Sequence, residues 1–464
     1  MPHLDNKFPN KQQRVRLETN QRNLRLYDGR HYKVFGIKDY FVDDTRKERK
    51  LYIAANLPAL ITEYFADLIM GQGAMFFIEG EKESEALSKI VRGNKLNDTL
   101  YQESLDQSTF GYGVLRVRSD VNDPTKPIIE LVQTDSYYPE YDFRDTTQPS
   151  RVTLASFIKD PRGEQKRGLI YKTIYEKDGE KITLRFELRF LNSDSTQGEE
   201  VDPVKYSQYF PELTEEPLTI EGTTRIPVWQ IDNTRRAGDP FGKSDYKDIE
   251  PQLEEVNNRV THISIQLIKH MNARMAVPPS TLPDGKKDKI KVKDIDLIEV
   301  AKEDHMPAYI TNSNPLIEEC FKFIDMEIQQ ALGIAKVPPE MVRPESSSGN
   351  DKVEAMRLRL FPSLRKVARK RLAFESVLQE ALTFALSIAG VETENEIRIV
   401  WDDVLPVDMV ALTLQMVERS TAGLVSKRTA ISTLDDLTDE QADQELERIR
   451  QEEPAIEPFL PIVS

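Results

Sequence analysis

Seven apolar residues, Tyr246, Ile249, Leu253, Val256, Val260, Ile263 and Leu267, follow one another at alternating spacings of three and four. That is a heptad seam sustained over three repeats, a period that belongs to one face of a helix packed along a partner. Met271 and Met275 continue it loosely. The implied helix covers roughly residues 244–276 and would be about 50 Å long at ~1.5 Å per residue. Pro278-Pro279 stop it, because proline cannot donate to the helical ladder. A Lys-rich strand region follows, with Lys286, Lys287, Lys289, Lys291 and Lys293 interleaved with Ile290, Val292 and Ile295. Asn314-Pro315 then open a second helix with Glu318 and Glu319 in its first turn, ending at Gly333. Two helices thus flank a protrusion.

The flanking regions are of different character. Before the seam, residues 1–13 read as a mobile arm. Arg14 to Tyr27, Leu51 to Met70 and Leu96 to Phe110 read as helices. From Gly113 the period changes to two, with strands at 114–118, 128–132, 152–158, 169–176, 181–191 and 226–231. Asp178-Gly179 marks a hairpin turn within them. Residues 1–240 therefore predict an α+β domain with an antiparallel sheet. After the second helix, Pro344 to Asn350 is a loop by composition. A helix over 351–389, kinked at Pro362, a strand at 396–401 and further helices over 406–452 complete the chain.

Composition narrows the function. The 464 residues carry a formal charge of −15, which argues against a protein that coats nucleic acid or an anionic membrane over its whole surface. The single cysteine, Cys320, rules out an intrachain disulfide framework and any multi-cysteine zinc site. Met1 to Arg14 has no apolar core of a secretory signal, and no run of about 18 apolar residues predicts a membrane span. Five scattered histidines form no His-Glu-x-x-His, and there is no Gly-x-Ser-x-Gly elbow, so we expect no catalytic residue, metal or cofactor.

One segment imitates an enzyme. Gly238-Asp239-Pro240-Phe241-Gly242-Lys243-Ser244 follows a strand and precedes the long helix, as a phosphate-binding P-loop does. A Walker A motif needs four residues between its glycines so that successive N–H groups wrap a phosphate. Here three intervene, and one is proline, which has no N–H. An ATPase is therefore disfavoured. A second signal is basic: Lys352, Arg357, Arg359, Arg365, Lys366, Arg369, Lys370 and Arg371 stand against one acid, Glu354. Such a helix can face DNA phosphates or acidic neighbours.

The collinear order of several short motifs resembles the portal protein of tailed bacteriophages, in its long-tailed form. These are Asn56-Leu57-Pro58 leading to Met70-Gly71, Phe110-Gly111-Tyr112-Gly113-Val114-Leu115-Arg116-Val117, and Tyr138-Pro139-Glu140-Tyr141-Asp142. Further along come Ile226-Pro227, Asn233, Phe241 to Asp245, Asn257, Ser348-Gly349, Leu405-Pro406 and Gly423 to Lys427. On this reading Ser244 or Asp245 caps the long helix, and the false P-loop is a loop-to-helix junction. The segment around Asn350-Asp351-Lys352 departs from the family's small-residue pattern.

The resemblance implies a ring-forming α+β portal fold. Its parts would be an arm (1–13), an α/β wing (14–240), a first stem helix (241–276), a small α/β clip (277–314) and a second stem helix (315–334). A tunnel loop (335–352), a kinked wing helix with a strand (353–405) and a helical crown with an acidic tail (406–464) would follow. It implies a homo-oligomeric ring of twelve copies, or thirteen when produced recombinantly, at one capsid vertex of the virion, assembled in the host cytoplasm. Partners would be double-stranded DNA in transit, the terminase large subunit, a head-completion or adaptor protein, scaffold and major capsid protein, and no membrane.

Arg343, Ser346, Ser347, Ser348, Gly349, Asn350 and Lys352 would line the DNA channel, and Lys286, Lys287, Lys289 and Lys291 would dock terminase. Arg357, Arg359, Arg365, Lys366, Arg369 and Lys370, with seam residues Ile249, Leu253, Val256, Val260 and Ile263, would meet neighbouring subunits. Another head–tail connector or a minor capsid protein is the alternative; the long helices flanking a protrusion favour the portal. An acidic ring would suit DNA that slides without being gripped.

Overall fold

A computed structural model describes residues 7–36, 52–71, 73–142, 145–162, 168–214, 216–271, 273–277, 291–292, 295–299, 308–309, 316–342, 353–401, 409–435 and 439–452. The chain divides into two units, one of residues 1–347 and 359–402, the other of 348–358 and 403–464.

The larger unit begins with helices α1 (Lys11–Tyr27), α2 (Tyr32–Phe35) and α3 (Leu57–Met70). Strand β1 (Ala74–Phe77), α4 (Glu81–Gly93) and α5 (Leu96–Phe110) follow. Next come β2 (Tyr112–Ser119), β3 (Pro127–Leu131), β4 (Tyr137–Asp142), β5 (Asp145–Lys159), β6 (Gly168–Asp178), β7 (Lys181–Leu191) and β8 (Gln197–Glu200). The short α6 (Pro203–Tyr206), β9 (Leu218–Ile220) and β10 (Val228–Asp232) lead to α7 (Glu250–Met271). Strands β11 (Ala273–Val277), β12 (Lys291–Val292), β13 (Ile295–Glu299) and β14 (Ala308–Tyr309) separate α7 from α8 (Leu316–Ala335). Then come α9 (Pro339–Val342), α10 (Val353–Ile388) and β15 (Arg398–Trp401). The smaller unit contains α11 (Met409–Thr421), α12 (Lys427–Asp435) and α13 (Asp439–Glu452), stacked in sequence order.

The antiparallel prediction holds, in two sheets. One has the order β10-β2-β3, the other β4-β5-β6-β7-β8 with β9 added to β7. The β6–β7 hairpin closes through Gly179 at φ 61°, a backbone angle that costs glycine little. Alternate residues of the two sheets face each other: Val152, Leu154, Tyr175 and Ile182 pack on Tyr112, Val114 and Val228. The opposite face of β2 (Leu115, Val117) joins the main core with α3, α4, α5, α7, α8 and α10. The predicted strand near 396–401 is β15, and its partner is β1, antiparallel. The protrusion is a four-stranded sheet, β12-β13-β11-β14, in which β11 and β13 run parallel.

Several boundaries differ from expectation. Residues 7–10 dock instead of waving free. The Phe8 carbonyl accepts from Gln197 N at 2.7 Å, its ring packs edge-on to Tyr138, and Lys172 Nζ lies 3.8 Å from its centroid. Asn10 and Gln13 form a reciprocal capping box, so α1 starts at Lys11. The second long helix runs past Gly333 and ends in a Schellman arrangement, with Val337 N on Leu332 O and Lys336 N on Gly333 O. Lys336 holds the left-handed position, φ 69°, that glycine usually takes. Residues 335–342, expected in a loop, are thus a helix end and the short α9. Helix α10 continues through Pro362, which lies on the exposed face, where water can satisfy the carbonyl left without a donor.

The junction between α5 and β2 turns on Gly111, at φ 91°. Any Cβ there would run into the Gly242 carbonyl oxygen and Ser244 N. We predict that Gly111→Ala destabilises the protein by about 2–4 kcal/mol in urea unfolding, since strain and collision act together.

Candidate functional site

The segment that imitates a P-loop is closed onto its own protein. Gly242 N donates to Asp232 Oδ1 at 3.1 Å, Lys243 N to Thr234 O at 2.9 Å, Asp245 N to Ser108 O at 3.0 Å and Tyr246 N to Ser244 Oγ at 3.2 Å. The N–H groups that would cradle a phosphate already have acceptors. Lys243 pairs with Asp248, so its ammonium is engaged as well. The junction reading of the sequence is right, but neither Ser244 nor Asp245 caps α7, which starts at Glu250.

Asp245 instead carries the centre of the fold. Its carboxylate is held by Lys366 Nζ at 3.0 Å, Lys370 Nζ at 3.3 Å and Asn233 Nδ2 at 2.7 Å. Lys370 also donates to Ser108 Oγ at 2.6 Å, and Lys366 to the Ala335 carbonyl at 3.1 Å, in the last turn of α8. Ser363 Oγ donates to the next carbonyl, of Lys336, at 2.6 Å and accepts from Tyr64. Both ammoniums lie by the Phe65 ring, 3.8 and 5.6 Å from its centroid. One constellation therefore ties together α3, α5, the approach to α7, the end of α8 and α10. Burial opposes the charge on Asp245, but Lys370 and Lys366 overcome it and hold the carboxyl at about 2. Burial lowers both lysines, Lys370 to about 8, because one carboxylate cannot fully compensate two ammoniums.

This corrects the interface assignment. Lys366 and Lys370 are internal, as are Ile249, Leu253 and Val256, which are fully buried in the protomer's own core and have no surface to offer a neighbour. Burial fades along the seam: Ile263 is still covered, Val260 half-buried, and Leu267 46% exposed. α8 buries one face, with Ile324, Ile328, Ala331, Leu332 and Ala335 covered, while Phe321 is 51% exposed. Arg359, Arg365 and Arg369 are exposed on α10. Arg357 and Lys291 lie in α10 and β12, for which only the backbone is described. Lys286, Lys287 and Lys289, and Arg343, Ser346, Ser347, Ser348, Gly349, Asn350 and Lys352, lie outside the described residues.

Two buried groups gave no periodic signal. Asn257 accepts from Ala55 N at 2.8 Å and donates to His31 Nδ1 at 2.8 Å, and His31 Nε2–H donates to the Leu26 carbonyl at 2.9 Å. Burial lowers the His31 pKa and keeps the ring neutral. Glu103 lies beneath Gly113; burial and then Asp106 push its carboxyl well above the usual range. Burial and the Asp135 carboxylate push Asp106 to about 7. Among the described residues, no cluster of His, Cys, Asp and Glu could hold a metal, and no helix is long and apolar enough to cross a membrane.

Two stability predictions follow from these groups. Asp245→Asn leaves two buried ammoniums without a counter-charge and lowers unfolding free energy at neutral pH by about 3 kcal/mol. Asp106 has a raised folded pKa, so its folded form binds the extra proton and wild-type stability falls as pH rises from about 4 through about 7. Asp106→Asn should reduce that decline, leaving the share of Glu103, and gain at least about 1 kcal/mol at pH 8 in urea titrations across that window.

The profile of the family "Phage portal protein, SPP1 Gp6-like" matches residues 6–458. No curated protein sequence matches. Solved structures similar to the chain include one titled as the virion of a native gene transfer agent particle, at 12% identity and TM-score 0.45, covering 82% of this chain and 89% of that one. A second is the neck of an empty gene transfer agent particle computed with C6 symmetry, at 12% identity and TM-score 0.46, covering 88% and 93%. A third is the neck of the native particle computed with C12 symmetry, at 12% identity and TM-score 0.41, covering 82% and 89%. With the family matched over nearly its whole length, the chain belongs to the SPP1 Gp6-like phage portal proteins, a structural and not an enzymatic family.

Proposed function

We propose that the protein forms a ring, of twelve copies in the virion, at one vertex of a phage capsid, and that DNA is packaged and ejected through its centre. The observation that carries this is the family match over residues 6–458. The arrangement of α7 and α8 on either side of a small sheet agrees with it. In this reading α7 and α8 are the stem, rooted in the wing by the Asp245 constellation. Their outer ends leave Leu267 and Phe321 exposed, apolar surface that neighbouring stems would cover. The four-stranded sheet is the clip, where terminase, which hydrolyses the ATP, would dock on the lysines around 286–291, with a head-completion protein taking its place later. Scaffold and major capsid protein would surround the ring during assembly.

Residues 343–352, between α9 and α10, are the proposed tunnel loop. Conduction needs contacts that hold DNA weakly, because each phosphate neutralised by Lys or Arg releases counterions and adds affinity that would brake sliding. Ser346, Ser347, Ser348, Gly349 and Asn350 are small and neutral, and the net charge of −15 per chain repels more than it grips.

Negative-stain images of the purified protein test the ring: annular particles with a hole wide enough for duplex DNA are expected, and monodisperse monomers would refute it. Replacing Ser346, Ser347 and Ser348 by arginine should leave rings intact while packaging, read as nuclease-protected DNA, drops at least about tenfold. Normal packaging by that variant would remove the loop from the channel.

A further inference from the structure

Helix α10 presents an outer stripe of Phe361, Arg365, Arg369 and Leu372, spaced four, four and three. Phe361 is 53% and Leu372 63% exposed, and the Arg365 guanidinium lies 5.0 Å from the Phe361 ring centroid. Among the described residues, neither Arg365 nor Arg369 meets a carboxylate. The stripe is a basic face with an apolar anchor at each end.

Helix α3 presents the opposite charge. Glu63 and Asp67 are exposed four residues apart, the same interval as the two arginines. Tyr27 donates to Glu63 at 3.4 Å and Tyr101 to Asp67 at 3.0 Å, so a tyrosine flanks each carboxylate. Burial, then Asp67 and Glu63, push the Tyr101 phenol to about 12. Among the described residues, no cation neutralises either acid.

The two surfaces point away from each other. Phe65 and the Leu68 and Ile69 carbonyls of α3 meet α10, through Lys366, Lys370 and Arg371. At ~100° per residue, Glu63 and Asp67 leave α3 from its far side. By the same count, Arg365 and Arg369 lie about 130° round α10 from the side that faces α3. Complementary patches on opposite sides of one molecule cannot pair within it, nor form a two-fold dimer through one shared patch. They fit a head-to-tail contact, the kind that closes into a ring.

We infer that the Phe361–Leu372 stripe of each copy docks on the Glu63–Asp67 ridge of the next copy in the ring. Arg365 and Arg369 set the register against the two carboxylates. Phe361 and Leu372 are covered by the neighbour, with the Tyr27 and Tyr101 rings as the apolar floor between the charges. This rests on the ring reading above and names the surfaces that make it.

The test uses full-length protein, light scattering after size exclusion, and negative stain. R365E/R369E and E63R/D67R alter exposed side chains only, so each should remain folded by circular dichroism. Each alone should raise the protein concentration needed for rings at least about tenfold. Mixed in equal amounts they should restore rings, because the reversed stripe of one variant fits the reversed ridge of the other. Rings formed as readily as wild type by either variant alone would overturn the contact, and so would failure of the mixture to recover. Absence of rings from the wild type would overturn the ring reading itself, and the contact with it.

Discussion

One buried carboxylate and two buried ammoniums organise this protein. Asp245 sits where the sheet domain hands the chain to its long helices, and Lys366 and Lys370 reach it from α10. Burying three charges is costly unless the geometry is good and the remaining donors are used. Here Asn233, Ser108 and the Ala335 carbonyl complete the set. Because the partners come from elements far apart in sequence, the constellation joins the end of α8, the approach to α7 and α10 at fixed hydrogen-bond geometry, which apolar packing alone would leave looser.

From that anchor the long helices separate two tasks. Their inner halves are consumed by the protomer's own core, around Leu253, Val256, Ile328 and Leu332. Their outer halves keep apolar side chains in water, at Leu267 and Phe321. The proposed ring would need this division. The inner seam gives a folded subunit first, and the outer seam leaves something to gain on association. α10 follows the same logic, with Lys366 and Lys370 inward and Arg365 and Arg369 outward. Arginine suits the outer role because its guanidinium binds carboxylates in a fixed fork and is weakly hydrated.

Much of the fold was legible from periodicity. The β6–β7 hairpin, the two long helices and the strand at 396–401 follow from spacing and turn chemistry, which are local. The start of α1 was missed, because the Asn10–Gln13 capping box sets it three residues before the apolar pattern begins. Helix α4 was not, because Leu87 and Ile90 are the only residues it fully buries. Strand β1 was not, since four residues define no period and its partner lies more than three hundred residues away. The end of α8 was misplaced because Gly333 is the usual stop, whereas Lys336 takes the left-handed position with its carbonyl held by Ser363.

The sequence by itself determined that the chain is a mixed sheet and helix protein with a long helical seam, no Walker loop and a basic helix. It determined the family too, because collinear motifs survive where single motifs are weak. Only the tertiary structure decided which face of that seam and of that helix remains free. Val256 and Leu267 look alike in a heptad, as Lys366 and Arg365 do in a basic run. Periodicity records that a face is apolar or charged, but the partner that covers it is brought by residues such as Asp245 and Phe65, whose approach no local pattern encodes.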